Sequence, residues 1–430
     1  MSSLLIAGGR LVDPLNGRDE LADLRVEDGC VAAIGRLAPR TGEVVLDARG
    51  LAVTPGLIDI CVHLRDPGFE EIETIQTGAQ AALAGGFTAI AAMPDTAPAV
   101  DHAAGAAYVQ LKGEAAGAAR VYPVGALTRG REGKQLSEMD ALARAGAVAF
   151  TDEDAPIEHA GMLVKAMRYA QMLKRAILTR CEDATLRGQG MVNGGLTADL
   201  MGLPAIGAGT EEVMLGRNLL LAQLEASALH LLHLTTQASM QQVASAKANG
   251  VPVTCSVTPH HLLLTEQALE HFEPVYKYMP PLRSELDRAA LVEALSSGTV
   301  DAISSLHAPR GEFEKNLEFV YASPGTGGLE TAFPVLHTRL VATGQVSFRR
   351  LIELLSCAPA RILGVPGGRL SIGDVADMSC FNLETKWRVD PTRFLSRSKL
   401  TPYAGWEVVG RAIHVVVGGR VLYREARLST

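Results

Sequence analysis

An α/β fold, a closed (β/α)8 TIM barrel with a small β-sandwich domain formed by both termini, is what this sequence predicts, and three observations carry the prediction. From about Leu51 short apolar runs alternate with longer helix-patterned stretches, the signature of repeated β-α units on a parallel sheet. Eight such runs can be counted, the number that closes a parallel barrel. The two ends of the chain read instead as short alternating strands broken by Gly and Asp-Gly turns.

Taken in order, Leu4–Val53 holds strand-like segments such as Asp23-Leu-Arg-Val-Glu-Asp-Gly-Cys30, where Asp28-Gly29 is a tight hairpin signal. The eight barrel runs follow at Leu57–Leu64, Phe87–Met93, Arg120–Leu127, Ala147–Asp152, Ala176–Cys181, Ala228–Leu234, Val251–Val257 and Val300–Leu306. Between them the spacing predicts helices over Ile72–Ala84, His159–Leu173, Glu211–Glu225, Ala238–Ala248 and Glu285–Leu295. Ser284 with Asp287 marks the start of the last of these, because a hydroxyl there accepts from the backbone three residues on. Residues 373–422 return to strand spacing and end in Arg411-Ala-Ile-His-Val-Val-Val-Gly-Gly-Arg-Val-Leu422, followed by Tyr423. The expected domains are therefore 1–53 with 365–430 as one composite β unit, and 54–364 as the barrel.

Composition excludes several classes. The hydrophobic fraction is 47%, the charged fraction 20% and the net charge -7, with no cluster of Lys and Arg, so neither nucleic acid nor a membrane surface is an expected partner. The N-terminus lacks the basic segment and apolar run of a signal peptide. Six cysteines without paired spacing suit reduced thiols and a cytoplasmic setting.

Barrel chemistry gathers at the C-terminal ends of the strands. Those ends carry Cys61 and His63, Asp95, Asp152, Arg180 and Cys181, His233, His260 and His261, and Leu306 with His307. Strand alternation puts Cys61 and His63 on one face. A His-x-His at this place would hold a divalent metal between two imidazoles, and here its first member is a cysteine.

The segments Pro55-Gly-Leu-Ile-Asp-Ile-Cys-Val-His-Leu-Arg-Asp-Pro-Gly68, Gly85-Gly-Phe-Thr-Ala-Ile-Ala-Ala-Met-Pro-Asp-Thr96 and Thr254-Cys-Ser-Val-Thr-Pro-His-His261 resemble motifs of type I dihydroorotases, members of the amidohydrolase superfamily. Pro280-Pro-Leu-Arg-Ser284, His307-Ala-Pro309 and Gly328-Leu-Glu-Thr331 resemble them too, so the likeness spans nearly the whole chain. It implies an amidohydrolase-type barrel whose metal ligands are the His-x-His of strand 1, an acidic residue or carboxylated lysine on strand 4, histidines on strands 5 and 6 and an aspartate on strand 8. Carried over, these become Cys61 and His63, Asp152, Arg180, His233 and Leu306, with the strand 4 register open between Asp152 and Asp154.

The departures bear on chemistry. A guanidinium at 180 has no lone pair for a metal and repels a dication. Leu306 removes the carboxylate that moves a proton in the family mechanism, a loss of about 10²–10⁴-fold where general acid-base catalysis is involved. The resemblance also gives a substrate pocket, whose positions here are Arg65, Asp95, Met279 and His307. Arg65 keeps its charge, Asp95 stands where the family has Asn, and Met279 replaces another Asn.

The expectation that follows is a catalytically inactive dihydroorotase-like chain of pyrimidine biosynthesis. It has no catalytic residue, its base position is occupied by Leu306, and it binds no cofactor. Its partner is the catalytic chain of aspartate carbamoyltransferase, and self-association into a homo-oligomer is expected. The alternative is an active mono-zinc dihydroorotase, or a related cyclic amidohydrolase, using Cys61, His63, Asp152 and His233. A third reading is a binding module in which Arg65 holds an anionic metabolite. Arg180 is expected to pair with the carboxylate of Asp152 in place of a second metal ion.

Overall fold

The computed structural model describes residues 3–425. Residues 1–2 and 426–430, which fall within the expected terminal domain, lie outside the described residues. The barrel strands are β1 Leu57–Val62, β2 Phe87–Ala92, β3 Arg120–Gly125, β4 Ala149–Phe150, β5 Ala176–Arg180, β6 Leu229–Leu232, β7 Val253–Val257 and β8 Ala302–Ile303. They form one eight-stranded sheet in sequential order, and every neighbouring pair is parallel.

Closure between β8 and β1 is made beyond the regular strands. The amide of His63 donates to the carbonyl of His307 at 2.9 Å. Asp59, fully buried on β1, accepts from the Ser304 hydroxyl at 2.8 Å and the Ser305 amide at 2.9 Å. One carboxylate thus joins the first and last strands directly beneath the site. Leaving the two serine donors without it would strand buried polar groups, at about 1–3 kcal/mol each.

The helices follow the apolar periodicity, with ends set by capping. The helix expected from Ile72 begins at Ile75, because Thr74 caps it by accepting from the Thr77 amide at 3.1 Å. Ser284 caps Glu285–Ser297 by accepting from the Asp287 amide at 3.2 Å.

The second eight-stranded sheet draws Leu4–Asp13, Arg18–Glu27, Cys30–Gly35, Val44–Asp47 and Ala52–Pro55 from the N-terminal side, and Met378–Arg388, Glu407–Val417 and Arg420–Arg424 from the C-terminal side. Ala52 to Pro55 pair antiparallel with Phe381 to Met378, which joins the two halves. Asp28-Gly29 and Gly418-Gly419 each hold two consecutive positive φ angles, the geometry that two-residue hairpin turns require. Gly29 and Gly419 approach closely, so this single sheet folds back on itself around a core that includes Leu4, Ile6, Leu24, Val31, Met378, Cys380 and Val416.

Between Met378–Arg388 and Glu407–Val417 the chain leaves the sheet and crosses to the barrel mouth. There Ser398 donates to the carbonyl of Arg310 at 2.9 Å, and Gly327 donates to the carbonyl of Leu400 at 3.1 Å. Among the described residues no helix is long and apolar enough to cross a membrane.

Candidate active site

A cavity of about 210 Å³ opens at the C-terminal ends of the barrel strands, lined by His63, Arg65, Asp95, Glu153, Asp154, Arg180, Arg187, Tyr278, Met279, Leu306, Ala308, Arg310, Pro324 and Gly325. Arg65, His233 and Leu306, each just past a strand end, hold left-handed backbone with φ of 62°, 54° and 50°. Such conformations cost of order 1 kcal/mol or more in a non-glycine residue and gather at functional sites.

His63 and Asp95 form the best-defined pair. Asp95 Oδ2 accepts from His63 Nδ1 at 2.7 Å and from Arg65 Nη1 at 2.6 Å. Burial pushes Asp95 up, but the charges of His63 and Arg65 and the hydrogen bond from His63 outweigh it and hold the carboxyl well below its usual range. An ionised Asp95 accepts only, so Nδ1 carries the proton and Nε2 is left facing Glu153 Oε2 at 3.7 Å.

Asp152 stands apart from this group. Its carboxylate accepts from the amides of Leu127 and Thr128 at 2.9 and 3.2 Å and from the Thr128 hydroxyl, so it fastens β3 to β4. The carboxylate that turns into the site is Glu153, one residue on, while Asp154 pairs with Arg131 at the rim. Because Asp152 is taken up by backbone amides, Arg180 does not reach it. The Arg180 guanidinium, 4% exposed, contacts Glu182 and lies 3.8 Å from Glu153 Oε1.

Cys61, Glu153 and His233 each present a donor atom within 4.8 Å of the other two, all buried. Glu153 Oε2 and both ring nitrogens of His233 have no hydrogen-bond partner. Burial drives the His233 pKa well below the ordinary imidazole value, so the ring is neutral, as a ligand must be. Burial likewise pushes the Cys61 thiol well above its usual range, and a coordinated ion would be what deprotonates it. Thiolate, carboxylate and imidazole are donors of the kinds zinc accepts. These residues fit one metal ion. Of the four positions named from sequence for a residual site, Cys61 and His233 belong to this set, whereas His63 is turned to Asp95 and Asp152 to Thr128.

Leu306 lines the cavity and packs with Tyr278, Leu282 and Tyr403. Met279 also lines it. His307 lies outside: Nδ1 accepts from the Gly328 amide at 3.1 Å, and Nε2 is 3.5 Å from Glu73.

Glu153, Glu182, Arg187 and Arg310 are the site residues that sequence reasoning did not single out. Glu182 follows Arg180 by two positions, just past the end of β5, and is placed by its contact with the Arg180 guanidinium. Arg187 Nη1 lies 3.1 Å from Glu182, a helical-turn return that depends on tertiary structure.

A family profile described as dihydro-orotase-like matches residues 50–239. A dihydroorotase of Pelotomaculum thermopropionicum is 43% identical over 422 residues, covering 98% of this chain and 99% of its own length. A dihydroorotase of Geobacter metallireducens is 42% identical over 423 residues, covering 98% of this chain and 100% of its own length. Among solved structures, the L-hydantoinase (dihydropyrimidinase) of Arthrobacter aurescens superposes with a TM-score of 0.88 at 25% identity, covering 99% of this chain and 97% of that one. A D-hydantoinase superposes with a TM-score of 0.85 at 20% identity, covering 98% of this chain and 95% of that one, a likeness of fold. Relatives matching end to end bear an enzyme's name. That overturns the expectation of a catalytically inactive, purely structural chain, which rested on Cys61, Arg180 and Leu306 being read as losses.

Proposed function

The chain belongs to the dihydroorotase-like family of the amidohydrolase superfamily, and from that premise we propose that it is a cyclic amidohydrolase that opens the ring amide of dihydroorotate with one bound metal ion. The observation that carries the proposal is the convergence of Cys61, Glu153 and His233, with unpartnered donor atoms, at the barrel mouth. By donor chemistry the ion is zinc. Bound there, zinc supplies Lewis acidity that polarises a carbonyl and makes water a stronger nucleophile.

The chain's own residues supply the rest. Asp95 fixes His63 with Nε2 directed at Glu153, and an imidazole held this way takes a proton at Nε2 and returns it. That gives the site a proton carrier although position 306 is leucine. Arg65, Arg187 and Arg310 line the same cavity, each beside one carboxylate, Asp95, Glu182 and Glu314, and the guanidinium N–H groups those carboxylates leave free are the donors that meet a substrate carboxylate. Leu306 and Tyr278 give that cavity an apolar wall that limits water. Metal analysis of the purified chain together with a dihydroorotate hydrolysis assay tests the reading. Stoichiometric zinc with turnover supports it, and zinc-loaded protein without turnover would sink it.

Association is a second, separate reading. As its partner we propose the catalytic chain of aspartate carbamoyltransferase, and six free cysteines suit a shared reducing, cytoplasmic setting. What supports a protein partner is a lobe beside the barrel mouth with its own small core of Val192, Ala198, Leu269 and Phe319. Its outer side exposes Leu196, Leu200, Phe272, Phe313, Leu317, Val320 and Tyr321, and the exposed charges among them are Asp199, Glu270, Glu273, Glu312 and Glu318. Lys277 and Lys315 are buried and turned inward to carbonyl oxygens. An apolar face with an acidic rim fits a partner whose apolar face is rimmed by Lys and Arg. Co-purification with that catalytic chain tests this. A second copy of this chain on the same face would appear as self-association instead.

A further inference from the structure

Basic residues gather in one part of an acidic chain. Residues 386–424 carry eight Lys and Arg against two Asp and Glu, although the whole chain has a net charge of -7. Three of those cations, Arg388, Arg393 and Arg411, meet beside Trp387 in a groove of about 520 Å³. It lies where the second sheet meets the helix Leu329–Leu336, and it shares no residue with the cavity at the barrel mouth.

The nearby carboxylates do not neutralise this group. Asp390 is taken up by the Thr392 amide at 3.0 Å and the Thr392 hydroxyl at 2.6 Å. Glu425 pairs with Arg411 at 2.5 Å. Glu330, behind the groove, accepts from the amides of Leu395 and Ser396, and burial raises its carboxyl to about 8, so it carries little charge near neutral pH. Arg388 and Arg393 are both exposed, and among the described residues neither side chain has a carboxylate or hydrogen-bond partner.

The groove also has an aromatic side. The Arg411 guanidinium covers one face of Trp387, 4.9 Å from the ring centroid, and the indole N–H donates to the Gly410 carbonyl at 3.0 Å. The ring is therefore fixed, and among the described residues no other aromatic stacks on it. Inward, an enclosed cavity of about 50 Å³ reaches Phe333, Phe394 and Tyr423. Tyr423 is 7% exposed, yet its hydroxyl makes no hydrogen bond among the described residues. A fixed aromatic face, an unpaired hydroxyl and two uncompensated guanidinium groups recognise a ligand with a flat polar ring and more than one negative charge. A carboxylate brings a single charge, whereas a phosphate monoester brings about −1.5 to −2 near neutral pH, with three acceptor oxygens.

We propose that this groove binds a nucleoside monophosphate, with the base on the open face of Trp387, its polar edge toward Tyr423 and its phosphate between Arg388 and Arg393. The site is separate from the one at the barrel mouth, and nothing in it depends on a metal ion.

Isothermal titration calorimetry on the full chain tests this with uridine monophosphate and adenosine monophosphate as probes, beside uridine, adenosine and inorganic phosphate. The expected result is a submillimolar Kd for at least one nucleotide. Arg388→Ala and Arg393→Ala are each expected to raise that Kd by about tenfold or more, since each removes a charge-assisted pair. Both arginines are exposed, so these variants keep the fold. Arg36→Ala, at an exposed arginine that lines neither cavity, is expected to bind as the wild type does. Arg310→Ala separates the two sites: a nucleotide lost in Arg310→Ala but kept in Arg393→Ala sits at the barrel mouth, and the proposal falls. It falls as well if neither nucleotide binds at millimolar concentration, or if both groove variants bind as tightly as the wild type. Inorganic phosphate or a nucleoside binding as tightly as its nucleotide also overturns it, because the Trp387 face or the arginine pair would then have no role.

Discussion

Nδ1 of His63 lies 2.7 Å from Oδ2 of Asp95, and the same oxygen takes Nη1 of Arg65 at 2.6 Å. One carboxylate therefore does two things at once: it sets the tautomer of the imidazole, and it neutralises a guanidinium that would otherwise face the ligand.

Asp95→Asn separates these effects. The amide cannot hold His63 in the same tautomer with the same strength, so kcat for dihydroorotate is expected to fall by about 10²-fold, the lower end of what general acid-base catalysis contributes. Arg65 is freed to pair with a substrate carboxylate, so KM is expected to fall as well. Steady-state kinetics of Asp95→Asn beside His63→Gln check the split. A rise in kcat would show that Asp95 obstructs the site rather than orienting His63.

Removing Arg180 strands Glu153 without its buried cation and leaves Glu182 with Arg187 alone. Arg180→Ala is expected to cost about 3–5 kcal/mol of stability, the usual penalty for breaking a buried pair from one side. Denaturant unfolding reads this directly. An unchanged midpoint would mean that the guanidinium contributes nothing to holding the two carboxylates.

The barrel was legible because its signal is local. Each of the eight apolar runs coincides with a strand, and alternation by itself places Cys61 and His63 on one face. Legibility fails where regular strand ends. β4 is regular only over Ala149–Phe150, so alternation cannot say whether residue 152, 153 or 154 faces the site. The answer depends on the Leu127 and Thr128 amides, which claim Asp152 from a different strand. Arg180 shows the same limit, for its partners are fixed by tertiary neighbours. Substitutions at ligand positions revealed departure from the family pattern, but the donor set that replaces it, with Glu153 in place of Asp152, is a property of the fold.

Glu330 gives a pH dependence of stability. Burial pushes its carboxyl from 4.5 up to about 8, against the hydrogen bonds it accepts from Leu395 and Ser396. The native state then keeps a proton that the unfolded chain releases, so this stabilisation is complete below the unfolded value and is lost as pH rises through the folded one. Between pH 4.5 and 8 the loss is at most about 1.4 kcal/mol per pH unit. Glu330→Gln keeps the shape and one of the two acceptor oxygens without the titration, and its unfolding midpoint is expected to vary less with pH over that window. Parallel pH profiles for the two proteins would place the titration elsewhere.

Tyr321 tests the lobe. It is 71% exposed, on the same segment as the exposed Phe313, Leu317 and Val320, so replacing it disturbs no packed core and any effect on binding is an effect on the surface. Exposed aromatic anchors near the centre of an interface account for about 2 kcal/mol or more, roughly 30-fold in Kd. Tyr321→Glu adds a charge to a rim that is already acidic, which a partner rimmed by Lys and Arg would tolerate at its edge but not at an apolar centre. The expected outcome is therefore a Kd for the aspartate carbamoyltransferase catalytic chain raised by at least about 30-fold, with the melting temperature unchanged. Wild-type binding should also weaken with added salt, because the acidic rim steers encounter and is screened. Equal affinity of wild type and Tyr321→Glu would move the interface off this lobe, and salt-independent binding would remove the charge complementarity that selects a basic partner.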